Sequence, residues 1–210
     1  MQRSAFGGRC LSLGAFTHDR PDCYRGATCF GKSGRGHELA KITGFRLFHN
    51  HMTAEPVAAL FGWGTELFGE TLAEVRLSMF AKALGQTDGS TIIFTFVWCF
   101  DDPSDGHFIA RLVDLAKSRG GHVYFVELVA SLQARVSREG TTLRLSLKPS
   151  KHDVEFARSL HMESYGKYQM NSKGNFPYPS RHLVIDTECH TPSESAKLVV
   201  KHFGFKNAGA

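Results

Sequence analysis

The sequence has no long apolar run. None approaches the ~20 consecutive apolar residues of a membrane-spanning helix. Residues 1–15 contain Arg3 and Arg9 but not the uninterrupted apolar core of a signal peptide. Five cysteines without regular spacing do not suggest a disulfide framework and fit a reducing compartment. We therefore expect a cytoplasmic protein with no membrane partner.

The sequence also lacks an excess of basic charge over most of its length. Residues 1–41 hold seven of the 25 Lys and Arg and three of the 20 Asp and Glu, which leaves 18 against 17 for the rest. A nucleic-acid-binding surface needs basic residues clustered on one face, with aromatic platforms. Nothing after residue 41 supplies this, so we expect no nucleic-acid partner. Salt-dependent binding through the early arginines is the competing hypothesis.

From residue 42 onward, apolar runs alternate with amphipathic segments, and there are no internal repeats or low-complexity segments. The predicted strands are residues 45–48, 91–98, 122–128 and 182–187. The predicted helices are residues 66–84, 101–118, 153–168 and 191–203, and a further helix is predicted before them over residues 36–43. A continuous apolar run such as 91–98 is typical of a strand buried on both faces of a parallel sheet. The alternation predicts an α/β domain with right-handed crossovers.

Residues 26–33 match the phosphate-binding pattern G-x-x-x-x-G-K-[ST] in full. Its glycines let backbone N–H groups wrap phosphate oxygens, its lysine reaches the β- and γ-phosphates, and its hydroxyl holds Mg²⁺. A glycine-rich loop that happens to contain lysine is the alternative. The candidate nucleotide-binding residues are Gly26, Gly31, Lys32 and Ser33, and Ser33 is also a candidate metal ligand.

The apolar strand that should precede this pattern is not evident. Residues 19–25 contain Pro21, two Asp and two Arg where a central strand needs an apolar run. Phe30 is also bulky for a loop that must approach phosphate closely. We therefore expect an abnormal or missing phosphate-loop strand. We divide the chain into an irregular segment, residues 1–37, and an α/β domain, residues 38–210.

Residues 38–205 resemble the small P-loop kinases of the shikimate-kinase and nucleotide-kinase type, especially uncharacterised bacterial members. The resemblance rests on ELAKITGFRLFHNH at 38–51, IFTFV at 93–97, FVEL at 125–128, KPSK at 148–151 and LVIDT at 183–187. It implies a three-layer parallel sheet with helices on both faces. It also implies a Mg²⁺-dependent kinase that transfers the γ-phosphoryl group of ATP to a small-molecule acceptor. An inactive or nucleotide-binding-only remnant is the alternative, because the strand before the phosphate loop is absent.

A shift of reading frame would account for the missing strand. Codons exist for residues 18–34 that, read one nucleotide later, encode MTGPIVIVGPPASGKVG. That reading contains an initiating methionine, an apolar strand and a regular phosphate loop, and it keeps Gly26, Gly31 and Lys32. We hypothesise that residues 1 to about 36 are an out-of-frame or misassigned start. A diverged N-terminal extension is the alternative.

Polar residues follow two of the predicted strands. His49, Asn50 and His51 lie at the carboxyl edge of the sheet, where α/β proteins bind ligands. The resemblance implies that this edge contacts the acceptor, and Arg76 is a further candidate for an anionic acceptor. A polar turn is the alternative, and two histidines at i and i+2 without a third ligand do not predict zinc.

Two aspartates and a basic stretch complete the candidates. Asp101 and Asp102 could orient hydrated Mg²⁺, or they could simply interact with the dipole at a helix N-terminus. Cys99 has no neighbouring base, so we expect a buried thiol. A basic stretch contains Arg135, Arg138, Arg144, Lys148 and Lys151.

In the resembled kinases the region equivalent to residues 131–180 is a mobile lid. Its arginines neutralise charge on the transferring phosphoryl group, and its closure excludes water. The resemblance therefore makes Arg135 and Arg138 candidate catalytic residues alongside Lys32. A solvated basic loop is the alternative.

Overall fold

The computed structural model describes residues 13–15, 19–20, 23–24, 26–29, 33–85, 91–138, 155 and 168–208. The strands are β1 (Leu13–Ala15), β2 (Asp19–Arg20), β3 (Cys23–Tyr24), β4 (Gly26–Cys29), β5 (Arg46–Phe48), β6 (Ile92–Thr95), β7 (His122–Val129) and β8 (His182–Asp186). The helices are α1 (Ser33–Thr43), α2 (His51–Phe61), α3 (Glu66–Leu84), α4 (Pro103–Ser118), α5 (Leu132–Ser137) and α6 (Pro192–Phe203), with a 3₁₀ turn at Pro179–Arg181.

Six strands form one hydrogen-bonded sheet, and the chain is α/β as the sequence predicts. The parallel strands lie in the order β5, β6, β4, β7, β8. Strand β1 pairs antiparallel with β6, so the sheet is mixed and not wholly parallel. Strands β2 and β3 pair with each other in a separate two-stranded sheet.

A strand is present at the phosphate-binding pattern, but it lies within the pattern instead of before it. Strand β4 consists of the first four residues of the pattern, and it pairs with β7 from Gly26↔His122 to Cys29↔Phe125. Its other neighbour is β6. Of the two predicted alternatives, an abnormal or a missing phosphate-loop strand, the structure shows an abnormal one, which begins at Gly26 and not before it. The proline-containing segment before β4 has no apolar run that two flanking strands could bury, so the pattern's own residues occupy the central position.

Aromatic side chains cover both faces of β7. Tyr124 and Phe125 are consecutive, so their side chains point to opposite faces. The Tyr124 ring lies 5.0 Å from that of Phe203 in α6, whereas the Phe125 ring lies 5.1 Å from that of Phe176. Helix α1 packs against α6, and α3 packs against α4. The main core joins these contacts around the fully buried strand β6.

The structure confirms the predicted helix over 66–84 and shows two helices that the sequence did not predict, α2 and α5. Helix α2 contains Pro56, which removes a backbone donor and disguises the helical pattern. It forms because Ala54 and Val57 pack with Leu72 of α3 in a small second core. The predicted helix over 153–168 lies almost wholly outside the described residues. No helix in the described part of the chain combines the length and apolarity that crossing a membrane requires.

Candidate functional site

The direction of the chain's crossovers changes between β4 and β7. From β4 the chain passes through α1 to β5 on one side of the sheet, and from β7 it passes to β8 on the other. In parallel α/β sheets, ligands bind in the crevice at the carboxyl ends of two such neighbouring strands. In this chain the crevice is bounded by the β4–α1 junction and by the segment that follows β7.

The β4–α1 junction is short. Strand β4 ends at Cys29 and α1 begins at Ser33, which leaves only residues 30–32 between them. Gly26, predicted as a phosphate-loop residue, is the first residue of β4. The central strand has taken up half of the pattern. Gly31 and Lys32 lie outside the described residues, and Ser33 begins the helix.

Arg35, which sequence reasoning missed, reaches from α1 to the corner between β8 and α6. Its Nε donates to Ser195 Oγ at 3.0 Å. Its Nη2 donates to the carbonyl oxygens of Thr187 at 3.0 Å and His190 at 2.7 Å. The residue is only 6% exposed. A cation in the first turn of a helix is disfavoured by the helix dipole. This unusual position was the signal in the sequence that could have identified Arg35.

Arg138 meets Arg35 at the same backbone group. Arg138 donates from Nη1 to Thr187 Oγ1 at 2.7 Å and from Nη2 to the Thr187 carbonyl oxygen at 2.9 Å. Burial and the nearby charge of Arg138 lower the pKa of Arg35 to about 10. Arg135 instead donates to the carbonyl oxygen of Ser131 at 3.4 Å, next to its own helix. The other basic residues of the predicted lid lie outside the described residues: Arg144, Lys148 and Lys151.

On the β5 side, the acceptor candidates form an internal hydrogen-bonded network. Arg76 Nε donates to Thr53 Oγ1 at 3.0 Å, and its Nη2 donates to both the carbonyl and the side-chain oxygen of Asn50. Its guanidinium lies 5.6 Å from the ring centroid of Phe94 and 5.9 Å from that of Phe108. Arg76 is only 4% exposed, so it shapes this edge instead of projecting from it.

The two histidines of this edge are also buried. His51 is the first residue of α2, and its Nδ1 lies 2.7 Å from Glu55 Oε1. Its ring centroid is 6.1 Å from that of Trp63. His49 is buried at the end of β5. Asn50, which Arg76 binds, therefore lies in the chain between two buried histidines, His49 and His51.

Asp101 and Asp102 have distinct local roles. Asp102 is the N-cap of α4, and its Oδ1 accepts from the backbone nitrogen of Ser104 at 2.9 Å. Asp101 Oδ1 accepts from Cys99 Sγ at 2.9 Å and from the Gln169 amide at 3.0 Å. Within the described ranges, no group of three His, Cys, Asp or Glu side chains could hold a metal ion. Helix capping thus accounts for Asp102 without a metal.

Cys99 is held as a neutral thiol, which is a poor nucleophile. Burial raises its pKa to about 12, and the hydrogen bond to Asp101 adds to the effect. Its backbone amide donates to Asp105 Oδ2 at 2.7 Å. Burial raises the pKa of Asp105 to about 7, although the Cys99 amide and the charge of Arg76 act in the opposite direction. Asp105 is therefore a second residue of this edge that sequence reasoning missed.

A buried carboxylate in β7 fastens the segment that precedes β8. Glu127, 2% exposed, accepts from the Ser172 amide at 2.8 Å and from Ser172 Oγ at 2.7 Å. His182 Nε2 lies 3.1 Å from Glu127 Oε2, and the His182 ring stacks on Phe176. Burial alone would raise the pKa of Glu127, but the nearby His182 and the hydrogen bonds from Ser172 outweigh it and hold the pKa below its ordinary value.

Comparison with known proteins finds similarity in structure only. No protein-family model matches the chain, and no curated protein sequence matches it. A solved structure of the tunicamycin resistance protein of Deinococcus radiodurans is similar, with a TM-score of 0.50 and 16% identity. The similarity covers 85% of this chain and 94% of that one. At this identity it establishes a shared fold and nothing about activity.

Proposed function

We propose that the protein is an ATP-dependent phosphotransferase of the P-loop kinase type that acts on a small-molecule acceptor. The observation that carries the proposal is the junction of the central strand β4 with α1, where the pattern's Gly-Lys-Ser residues lie in sequence. A helix N-terminus offers backbone donors and partial positive charge to phosphate, and lysine adds a full charge. The reversal of strand order at β4 and β7 supports the same location.

The finer architecture in this proposal is three layers, with helices on both faces of the sheet. The ring contacts of Tyr124 and Phe125 on opposite faces of β7 support it. So do the two helix pairs, α1 with α6 and α3 with α4. This arrangement would leave the carboxyl edge of the sheet open to ligands, as phosphoryl transfer between two bound substrates requires.

Phosphoryl transfer depends on positioning and on neutralising charge. In this proposal Lys32 binds the phosphates, while Arg138 and Arg135 supply charge from the segment after β7. Mg²⁺, when bound, would supply positive charge that offsets the charge of the phosphates. The Ser33 hydroxyl at the start of α1 fits that ion by its chemistry. Asp101 and Asp102 already accept hydrogen bonds from Cys99, Gln169 and Ser104, so they are less suited to hold it.

The acceptor would bind on the β5–β6 side, beside His49, Asn50 and His51. Arg76 holds this corner in place through Asn50 and Thr53. Asp105 has one oxygen bound to a backbone amide and a pKa of about 7, which suits a group that accepts the proton of an acceptor hydroxyl. Arg76 is then a positioning residue.

Calorimetric titration with Mg-ATP tests the proposal. The wild-type protein should bind Mg-ATP, and Lys32→Ala should weaken binding by roughly a hundredfold, because a charge-assisted contact to phosphate is lost. Lys41→Ala, on the exposed side of α1, is the matched control and should bind as the wild type does. Absence of Mg-ATP binding by the folded wild-type chain would contradict the proposal.

A nucleotide-binding or inactive remnant is the second candidate, and the short junction favours it. With only residues 30–32 between β4 and α1, fewer backbone amides are available to surround a phosphate than in the full pattern. A measurement of ADP release from Mg-ATP separates the two candidates. Mg-ATP binding with no release of ADP, even in the presence of varied hydroxyl-bearing acceptors, would support the remnant.

A further inference from the structure

Two arginines from opposite sides of the crevice meet at one backbone carbonyl. Arg35 belongs to α1, which follows β4, whereas Arg138 follows α5, which comes after β7. Both donate from Nη2 to the carbonyl oxygen of Thr187, at 3.0 Å and 2.9 Å. The two guanidinium groups are therefore neighbours at the carboxyl end of β8, which pairs with the end of β7.

The hydrogen-bond partners of this pair are neutral. Arg35 donates to the Ser195 hydroxyl and to two carbonyl oxygens, and Arg138 donates to the hydroxyl and carbonyl of Thr187. No carboxylate of the described ranges forms an ion pair with either arginine. Two like charges held together without a counter-charge are unfavourable, and burial of Arg35 increases the cost. The lowered pKa of Arg35 expresses the same strain.

Each arginine keeps a donor that these contacts do not use. A guanidinium has five N–H donors. The contacts of Arg35 leave Nη1, and those of Arg138 leave Nε. Neither nitrogen is among the fully buried atoms without a partner in the described part of the chain, so neither is completely enclosed. The pair therefore offers positive charge and N–H donors to a ligand from outside.

We infer that Arg35 and Arg138 together form a binding site for an oligophosphate, with Arg35 as a ligand-binding residue that the phosphate-loop pattern does not include. The inference deepens the proposed function and rests on it for the identity of the ligand, the phosphate chain of a nucleotide. Guanidinium groups match phosphate oxygens in geometry and hydrogen bond to them in pairs. A free inorganic oligophosphate presents the same chemistry.

The number of charges favours an oligophosphate over a carboxylate. Arg35 in the first turn of α1 and Arg138 beside it contribute two neighbouring cations. A single carboxylate would neutralise one of them. A triphosphate carries enough negative charge for both and enough oxygens to bind both arginines at once.

The test is calorimetric titration of the full chain with sodium tripolyphosphate, Mg-ATP and AMP. The variants are Arg138→Gln, Arg35→Lys and Arg35→Gln, and Arg111→Gln on the exposed side of α4 is the control of equal charge change. We expect the wild type and the control to bind tripolyphosphate and Mg-ATP. We expect AMP to bind more weakly. Each arginine variant should lose about tenfold or more in affinity, because a charge-assisted contact is removed.

Arg35→Gln removes three internal hydrogen bonds, so the variant could fail to fold. Arg138→Gln and Arg35→Lys keep the test valid, since Arg138 is half-buried and lysine retains the charge at position 35. Thermal unfolding adds a second readout. Tripolyphosphate should raise the Tm of the wild type and raise it less in Arg138→Gln, whereas a purely structural role would leave the ligand-induced rise unchanged.

The outcomes separate this inference from the proposed function. Unchanged affinity for both phosphate ligands in folded Arg138→Gln and Arg35→Lys overturns the inference even if the wild type turns over ATP. Tripolyphosphate binding that depends on both arginines supports the inference even if no ADP is ever released. If tripolyphosphate binds as tightly as Mg-ATP, the site recognises the phosphate chain. Arginine-dependent binding of Mg-ATP alone assigns the site to a nucleotide.

Discussion

Arg76 binds Asn50 twice through a single nitrogen. Its Nη2 donates to the backbone carbonyl and to the side-chain oxygen of the same residue. These bonds fasten the middle of α3 to the corner where β5 passes into α2. Because its side-chain oxygen is engaged by Arg76, Asn50 makes no side-chain capping bond to α2.

Arg76→Met should destabilise the protein by on the order of 3 kcal/mol, because it leaves the oxygens of Asn50 and Thr53 buried without their donor. Urea unfolding followed by tryptophan fluorescence measures this free energy. Arg111→Met, on the exposed side of α4, should change it by less than about 0.5 kcal/mol. Equal stability of the two variants would show that the Arg76 network contributes nothing.

Glu127→Gln should release the segment that contains Ser172. The amide loses the negative charge that accepts two hydrogen bonds from Ser172 and faces His182, at a cost of about 2 kcal/mol or more. Hydrogen exchange at the Ser172 amide should accelerate more than exchange in β6. Exchange at Ser172 as slow as in the wild type would contradict this assignment.

The same variant should change the acid sensitivity of the fold. The folded-state pKa of Glu127 is below its ordinary value of 4.5, so its contribution is present above about pH 4.5 and is lost as pH falls through the lowered pKa. The stability difference between wild type and Glu127→Gln should therefore be largest near neutral pH and shrink below about pH 4.5. Unfolding free energies measured from pH 3 to pH 7 check the sign.

Asp105→Asn should show the opposite dependence on pH. The pKa of Asp105 is raised from 3.8 to about 7, so the folded state holds a proton that the unfolded state releases. Stability therefore falls as pH rises from about 4 to about 7 in the wild type. The variant should lack this loss. Its free energy of unfolding relative to that of the wild type should therefore be higher at pH 8 than at pH 4, by on the order of a few kcal/mol. A constant difference across that range would contradict the raised pKa.

Thr191→Ala should cost about 1 kcal/mol, because it removes the N-cap of α6. The Thr191 hydroxyl accepts from the Glu194 amide at 3.2 Å, and the Glu194 side chain accepts from the Thr191 amide at 2.7 Å. Lys197→Ala, on the exposed side of the same helix, is the control. Chemical unfolding of both variants gives the comparison, and a loss confined to Lys197→Ala would contradict the capping role.

Sequencing of codons 15–40 in the source gene tests the reading-frame hypothesis. An inserted or missing base would restore an apolar run over residues 22–25 and a full-length loop after it. Such a chain should bind Mg-ATP more tightly, because its strand would end before Gly26 and leave the whole pattern free. An unaltered frame would leave the diverged extension as the explanation.

Elements with a strong local pattern could be predicted from the sequence. The apolar spacing of residues 66–84 gives α3 with the observed ends, and α6 begins one residue after its predicted start, behind Thr191. Strand β4 could not be predicted, because Gly26–Cys29 carries little strand tendency and becomes a strand only between β6 and β7. Helix α2 was missed because its stability comes from α3.

The candidate site was predictable only in part, for a related reason. The pattern at residues 26–33 and the cluster around Asn50 are visible as short stretches of sequence. Arg35 acquires its role through Thr187 and Ser195, more than 150 residues away. Glu127 acquires its role through Ser172, 45 residues away. Such pairings are set by topology, which no local window of sequence contains.

The first and last helices of the described domain, α1 and α6, pack against each other, and Arg35 joins them through Ser195. Removing either helix would expose the same apolar interface on the one that remains. The order of synthesis then matters. Helix α1 leaves the ribosome long before α6, so its apolar surface stays exposed until α6 has been made. The N-terminal part of this domain would consequently mature last, although it is made first.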